Sequence, residues 1–129
     1  MIRITTLLLL FSLSVSAQHI NEKQLKAHVK YLASDKLEGR GTGTKGEKLA
    51  GDYIIKNFKK AGLKPLAHQN DFRQEFKANK GKLGEVTAHN IIGYLDNGKP
   101  YTIIIGAHYD HLGKGDQGSS LKPNSQGEV

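Results

Sequence analysis

Between Asn21 and Ala33 the apolar residues Leu25, Val29 and Leu32 recur every three to four positions, the spacing of one face of a helix. Asn21 is a suitable N-cap for it, and Gln24 stands three residues on as a capping-box partner. The same arithmetic predicts a second helix after Thr44, with Thr44 and Glu47 as the capping box and Leu49, Ala50, Tyr53, Ile54, Phe58 and Ala61 as its buried stripe. Gly62 follows as the C′ residue, and Pro65 prevents continuation. Phe72 and Phe76 then alternate with Arg73 and Glu75, which predicts an edge strand, and Gly81 to Gly84 reads as a turn.

The pattern changes again after His89. Asn90 to Leu95 and Tyr101 to Ala107 predict two antiparallel strands joined at Asp96 to Lys99, where Asn97-Gly98 is a hairpin signal. Tyr101 to Ile105 is a run of β-branched and aromatic residues bounded by Pro100 and Gly106, the pattern of a strand buried on both faces. Gly115 to Glu128, rich in Gly, Ser, Asn and Gln, predicts a long loop bordering whatever stands at the end of that strand. Helices and strands in this order predict an α/β fold with a mixed β-sheet flanked by helices.

Residues 1–17 carry a basic start at Arg3, an apolar run from Ile4 to Leu13 and the small residues Val15-Ser16-Ala17, which together predict a secretory signal peptide cleaved after Ala17. The apolar run is too short to cross a bilayer, so no stable membrane insertion is expected. The expected location is secreted or periplasmic. The chain has no Cys, which excludes disulfide staples and lipid attachment at a cysteine after the small residues. Its 129 residues with a net charge of +7 allow one domain at most, residues 18–129. The lysines are scattered without interleaved aromatics, the pattern of a solvated basic face, and no nucleic-acid partner is expected.

Two glycine motifs are decoys. Gly41, Gly43 and Gly46 spell a dinucleotide fingerprint, but the segment before them reads as helix and turn where a strand is required. Gly41 and Gly46 have the separation of a phosphate loop, yet Glu47 stands where its lysine must be. Arg40, between Gly39 and Gly41, either pins the loop or reaches an anionic group in a cleft. His68 and His89 are expected to be structural, and His28, on or beside the first helix's stripe, is expected to be a packed or surface histidine.

The chemistry concentrates at the exit of the last strand, in His108, Asp110 and His111. Ligands in an open α/β sheet bind outside the carboxyl ends of the strands. His108 and Asp110 are two apart, so both side chains leave the same side of an extended segment. The pair is either a hydrogen-bonded cap on a strand end or a metal ligand with its orienting carboxylate, since a metal-bound His donates its other ring N–H to such a partner.

The strand, its small-residue exit and the continuation HYDHLG resemble the zinc aminopeptidases, family twenty-eight of the metallopeptidases. The stretch ASDKLEGRGTGTKGEKLAGDYIIKNFKKAGLKP is similar to the N-terminal helical segment of secreted bacterial members, and HNIIGYL to their first central strand. The resemblance implies a zinc-peptidase-like three-layer fold, two zinc ions in the complete protein, and hydrolysis of N-terminal residues from peptide or protein substrates. It implies His108 as a zinc ligand and Asp110 as the residue that orients it. Members continue with a Gly-Ala-Asp-Asp type motif, a Glu-Glu pair, a further Asp and a His, none of which this sequence contains. The expectation is therefore an N-terminal portion of a catalytic domain, inactive alone. A non-catalytic binding module on the same fold, or a glutaminyl-cyclase-type enzyme, are the alternatives.

Overall fold

A computed structural model describes residues 20–80 and 84–114. The expected signal peptide, the Gly115–Glu128 loop and most of the expected Gly81–Gly84 turn lie outside them. Helix α1 spans Glu22–Leu32, a kinked 3-10 segment spans Asp35–Arg40, and helix α2 spans Lys45–Lys60. Strands β1, Arg73–Asn79, and β2, Glu85–Ile91, pair antiparallel with Phe76 opposite Ala88. The chain is thus a mixed α and β structure.

Both helix starts follow their caps. The Asn21 side-chain oxygen accepts the Gln24 N–H at 3.0 Å, and the Thr44 hydroxyl oxygen accepts that of Glu47 at 3.4 Å, each satisfying a donor that the first turn leaves open. Gly62 takes a positive φ of 78° just past α2, where a Cβ would strain the left-handed turn. Of the stripe expected in α2 only Ala50 is fully buried and Ala61 is exposed; Ile55, outside that stripe, is buried with it, joined by Leu37 from the 3-10 segment, Phe72 and Ala88. Phe58 packs at a tilt on Phe72, with ring centroids 6.2 Å apart. Ahead of β1, the Asp71 carboxylate is held below its ordinary range by the Arg73 guanidinium and the Phe72 N–H.

The expectations for α1 and for the hairpin are also corrected. The stripe Leu25 and Val29 of α1 is exposed, at 54% and 60%. The helix turns a different face to α2: Tyr31 stacks on Tyr53 at 4.1 Å, and the His28 ring nitrogen meets the Tyr53 hydroxyl at 2.6 Å. Aromatic stacking joined to a side-chain hydrogen bond sets the helix rotation here, and the aliphatic spacing does not.

The hairpin expected from Asn90–Leu95 and Tyr101–Ala107 is also absent. Strand β2 begins five positions earlier and pairs with β1. Tyr94 makes only an isolated antiparallel bridge to Lys64, and Tyr101 to Ile105 pairs with no described segment, Ile105 being 93% exposed. The turn shows why. A two-residue type I′ hairpin needs positive φ at both central residues, and of Asn97-Gly98 only Gly98, at 61°, has it. Asp96 accepts the Gly98 N–H at 2.7 Å, so the local Asx turn forms without directing the chain back along β2. Pro100 removes an N–H at the point where a return strand would start.

Candidate functional site

The loop between the 3-10 segment and α2 lies against residues 109–113. Glu38, Gly39 and Arg40 take successive left-handed conformations, with φ of 50°, 67° and 49°. This turns two carbonyls outward. The Gly39 carbonyl accepts the Gly113 N–H at 3.0 Å, and the Arg40 carbonyl accepts the His111 N–H at 2.9 Å. The approach requires glycine, because a Cβ on Gly39 would stand 2.8 Å from the Gly113 carbonyl oxygen. Arg40 donates from Nε to the Tyr109 carbonyl at 2.8 Å and from its guanidinium to the Leu32 carbonyl. Both acceptors are backbone oxygens, so Arg40 pins the loop.

Glu47, only 2% exposed, sits in the first turn of α2 and ties three segments together. One carboxylate oxygen accepts the Gly43 N–H at 3.0 Å; a capping box would have used the N–H of Thr44, which bonds the Gly41 carbonyl instead. The other accepts the Tyr109 hydroxyl at 2.6 Å and the His89 N–H of β2 at 3.3 Å. The Tyr109 oxygen also lies 2.5 Å from the His89 carbonyl. Burial raises the Tyr109 hydroxyl well above its ordinary pKa, and the hydrogen bond and charge of Glu47 add to the shift. A carboxylate this buried is tolerated because its oxygens are occupied.

His108 and Asp110 lie on either side of this anchored tyrosine. The His108 Nδ1 is 2.9 Å from the Asp110 carbonyl oxygen and 3.5 Å from a carboxylate oxygen. Thr42 donates its hydroxyl to the other carboxylate oxygen at 2.8 Å. With Nδ1 carrying the proton toward Asp110, Nε2 keeps its lone pair, and the imidazole is 80% exposed. That donor chemistry suits one position of a metal ion's coordination shell. Among the described residues, no three His, Cys, Asp or Glu side chains converge as a metal-binding group. A cleft of about 150 Å³ runs beside the pair, lined among others by Thr42, Glu47, His89, His108, Tyr109 and Asp110.

The remaining candidates do not join the pair. His111 contributes its backbone N–H to Arg40, His28 serves Tyr53, and His68 is exposed with a positive φ of 69°. A larger open depression of about 690 Å³ lies near the end of α2, around Lys56, Lys59 and Lys60. Its Arg73 is paired with Asp52 and Asp71, and its lining includes no His, Ser, Thr or Cys. Three residues of the site carried no functional signal in the sequence: Thr42, Glu47 beyond its capping position, and Tyr109. The only hint was that Tyr109 stands between His108 and Asp110, so anchoring it aims both. No family model, no curated protein and no solved structure matches the chain.

Proposed function

We propose that this chain carries part of the metal site of a secreted zinc-dependent exopeptidase, an aminopeptidase acting on peptide or protein substrates. In this reading His108 is a zinc ligand through Nε2, Asp110 orients it, and the α and β elements belong to a three-layer peptidase fold. The observation that supports it is the His108 ring, anchored at Nδ1 by Asp110 and open at Nε2. Bound zinc would lower the pKa of its water to about 7 and polarise the scissile carbonyl. The chain's own residues hold the imidazole at Nδ1 through the Asp110 backbone carbonyl, place the carboxylate held by Thr42 3.5 Å from the same nitrogen, and seat the segment on Glu47 through Tyr109. Among the described residues this reading assigns one zinc ligand, His108, and no general base.

The test is His108→Ala in the longest reading frame containing this segment. Bound zinc, measured after equilibrium dialysis, should fall by one ion, and hydrolysis of an aminoacyl p-nitroanilide should be lost. Full zinc content with normal turnover would refute the assignment.

A further inference from the structure

We propose that residues 101–105 form a self-association surface, and that its occupant is the same segment of a second copy of this chain, paired antiparallel. Tyr101, Ile103, Ile104 and Ile105 are between 86% and 93% exposed, and the one other residue of the run is Thr102. Single exposed apolar residues are ordinary on a surface, but a contiguous run of them marks an interaction site. The backbone of the run is open as well. Its N–H and C=O groups make no hydrogen bond or bridge with the described residues. An uncharged run of β-branched and aromatic residues with open backbone groups is a template for strand pairing.

The rest of the chain offers this run no comparable partner. Strand β1 carries Arg73, Glu75 and Lys77, and β2 carries Glu85, charges of the kind that keep a strand edge from recruiting another. Residues 115–129 are rich in Gly, Ser, Asn and Gln and include Pro123, while the apolar run Ile4 to Leu13 belongs to the expected signal peptide. The segment does match itself. Antiparallel pairing centred on Ile103 sets Tyr101 opposite Ile105, Thr102 opposite Ile104, and Ile103 opposite its own copy. Every pair is then aromatic with β-branched or β-branched with β-branched, combinations that stabilise a ladder. Lys99 faces Ala107, and Pro100, which has no N–H, faces Gly106 at the ladder's end. Parallel pairing in register would instead set the Lys99 side chains of the two copies side by side, with like charges opposed. Two strands alone are marginal in water, so further copies add to the pair along its remaining edges.

The experiment is sedimentation velocity of the full chain at rising concentration, as wild type, Ile103→Lys and Val29→Lys. Ile103 and Val29 are both exposed, so neither lysine enters a core, and circular dichroism checks that the helices are kept. The wild-type sedimentation coefficient should rise with concentration, and Val29→Lys should follow it. In Ile103→Lys two lysines would face each other at the centre of the ladder, which should move the onset to a concentration at least about tenfold higher. Register is read by single cysteines, since the chain has none of its own. Ile103→Cys should form a disulfide-linked dimer on mild oxidation, as should a mixture of Tyr101→Cys and Ile105→Cys chains. Tyr101→Cys alone should not, because position 101 of the two copies would be roughly 14 Å apart, beyond the reach of a disulfide. A wild type that stays monomeric overturns the proposal, as does association that survives Ile103→Lys or is lost equally in Val29→Lys. Equal disulfide yields from Tyr101→Cys and Ile103→Cys would overturn the antiparallel register. A monomer that binds phosphatidylcholine vesicles, and loses them in Ile103→Lys, would give the surface to lipid and overturn the second copy as its occupant.

Discussion

Tyr109→Phe tests whether the Tyr109–Glu47 contact seats the His108 segment. The substitution removes one oxygen that lies 2.6 Å from a Glu47 carboxylate oxygen and 2.5 Å from the His89 carbonyl. A hydrogen bond to a charged partner contributes about 1.5–3 kcal/mol net. Glu47 keeps the Gly43 and His89 N–H donors, so it is not left unpaired, and a cost of about 2 kcal/mol is expected. For a domain of this size that is a fall in melting temperature of roughly 10 °C, measured by circular dichroism at pH 7. Alkaline pH supplies a second reading. The folded-state pKa of Tyr109 is raised above its ordinary 10.0, chiefly by burial, so its stabilising contribution is complete below pH 10 and is lost as pH rises beyond it, where the unfolded phenol ionises. The gap between wild type and variant should therefore narrow above pH 10. Equal melting temperatures at pH 7, or a gap that does not change with alkalinity, would refute the role given to this contact.

Gly46→Ala should destabilise the protein even though alanine is favoured in a helix by about 1 kcal/mol, because its Cβ would overlap the Leu37 carbonyl oxygen and stand 2.8 Å from the carbonyl carbon. The expected net loss is about 1–3 kcal/mol, read from the urea midpoint, and an unchanged or higher midpoint would contradict the close approach of the 3-10 segment to α2. Asp110→Asn keeps a group that can accept the Thr42 hydroxyl but removes the charge beside His108, so zinc affinity should fall about 10- to 100-fold. Chelator competition that returns the wild-type constant would show that Asp110 has another task.

The sequence by itself determined the features whose causes are local. Asn21 and Thr44 cap their helices because a side-chain oxygen needs only the N–H three residues on, and Gly62 ends α2 because its lack of a Cβ permits a left-handed turn. The alternation at Phe72 and Phe76 marked the strand that became β1, and His108 and Asp110 were legible as neighbours because they are two residues apart, although the ring nitrogen meets the Asp110 backbone carbonyl and not, as the spacing suggests, its carboxylate. Only the tertiary structure decided the rest. In a helix pattern a Glu marks the solvent side, yet Glu47 is buried because Tyr109, 62 residues away, and the β2 backbone supply its partners. Leu25 and Val29 have the spacing of a core stripe but face outward, since the rotation of α1 is set by Tyr53 of another helix. Tyr101 to Ile105 has strand composition without a strand, because a ladder needs a neighbour whose N–H and C=O groups are in register, and composition does not supply one. Thr42 joins Asp110 only after three left-handed residues have folded the glycine loop back, which places the two on one carboxylate across 68 residues of chain.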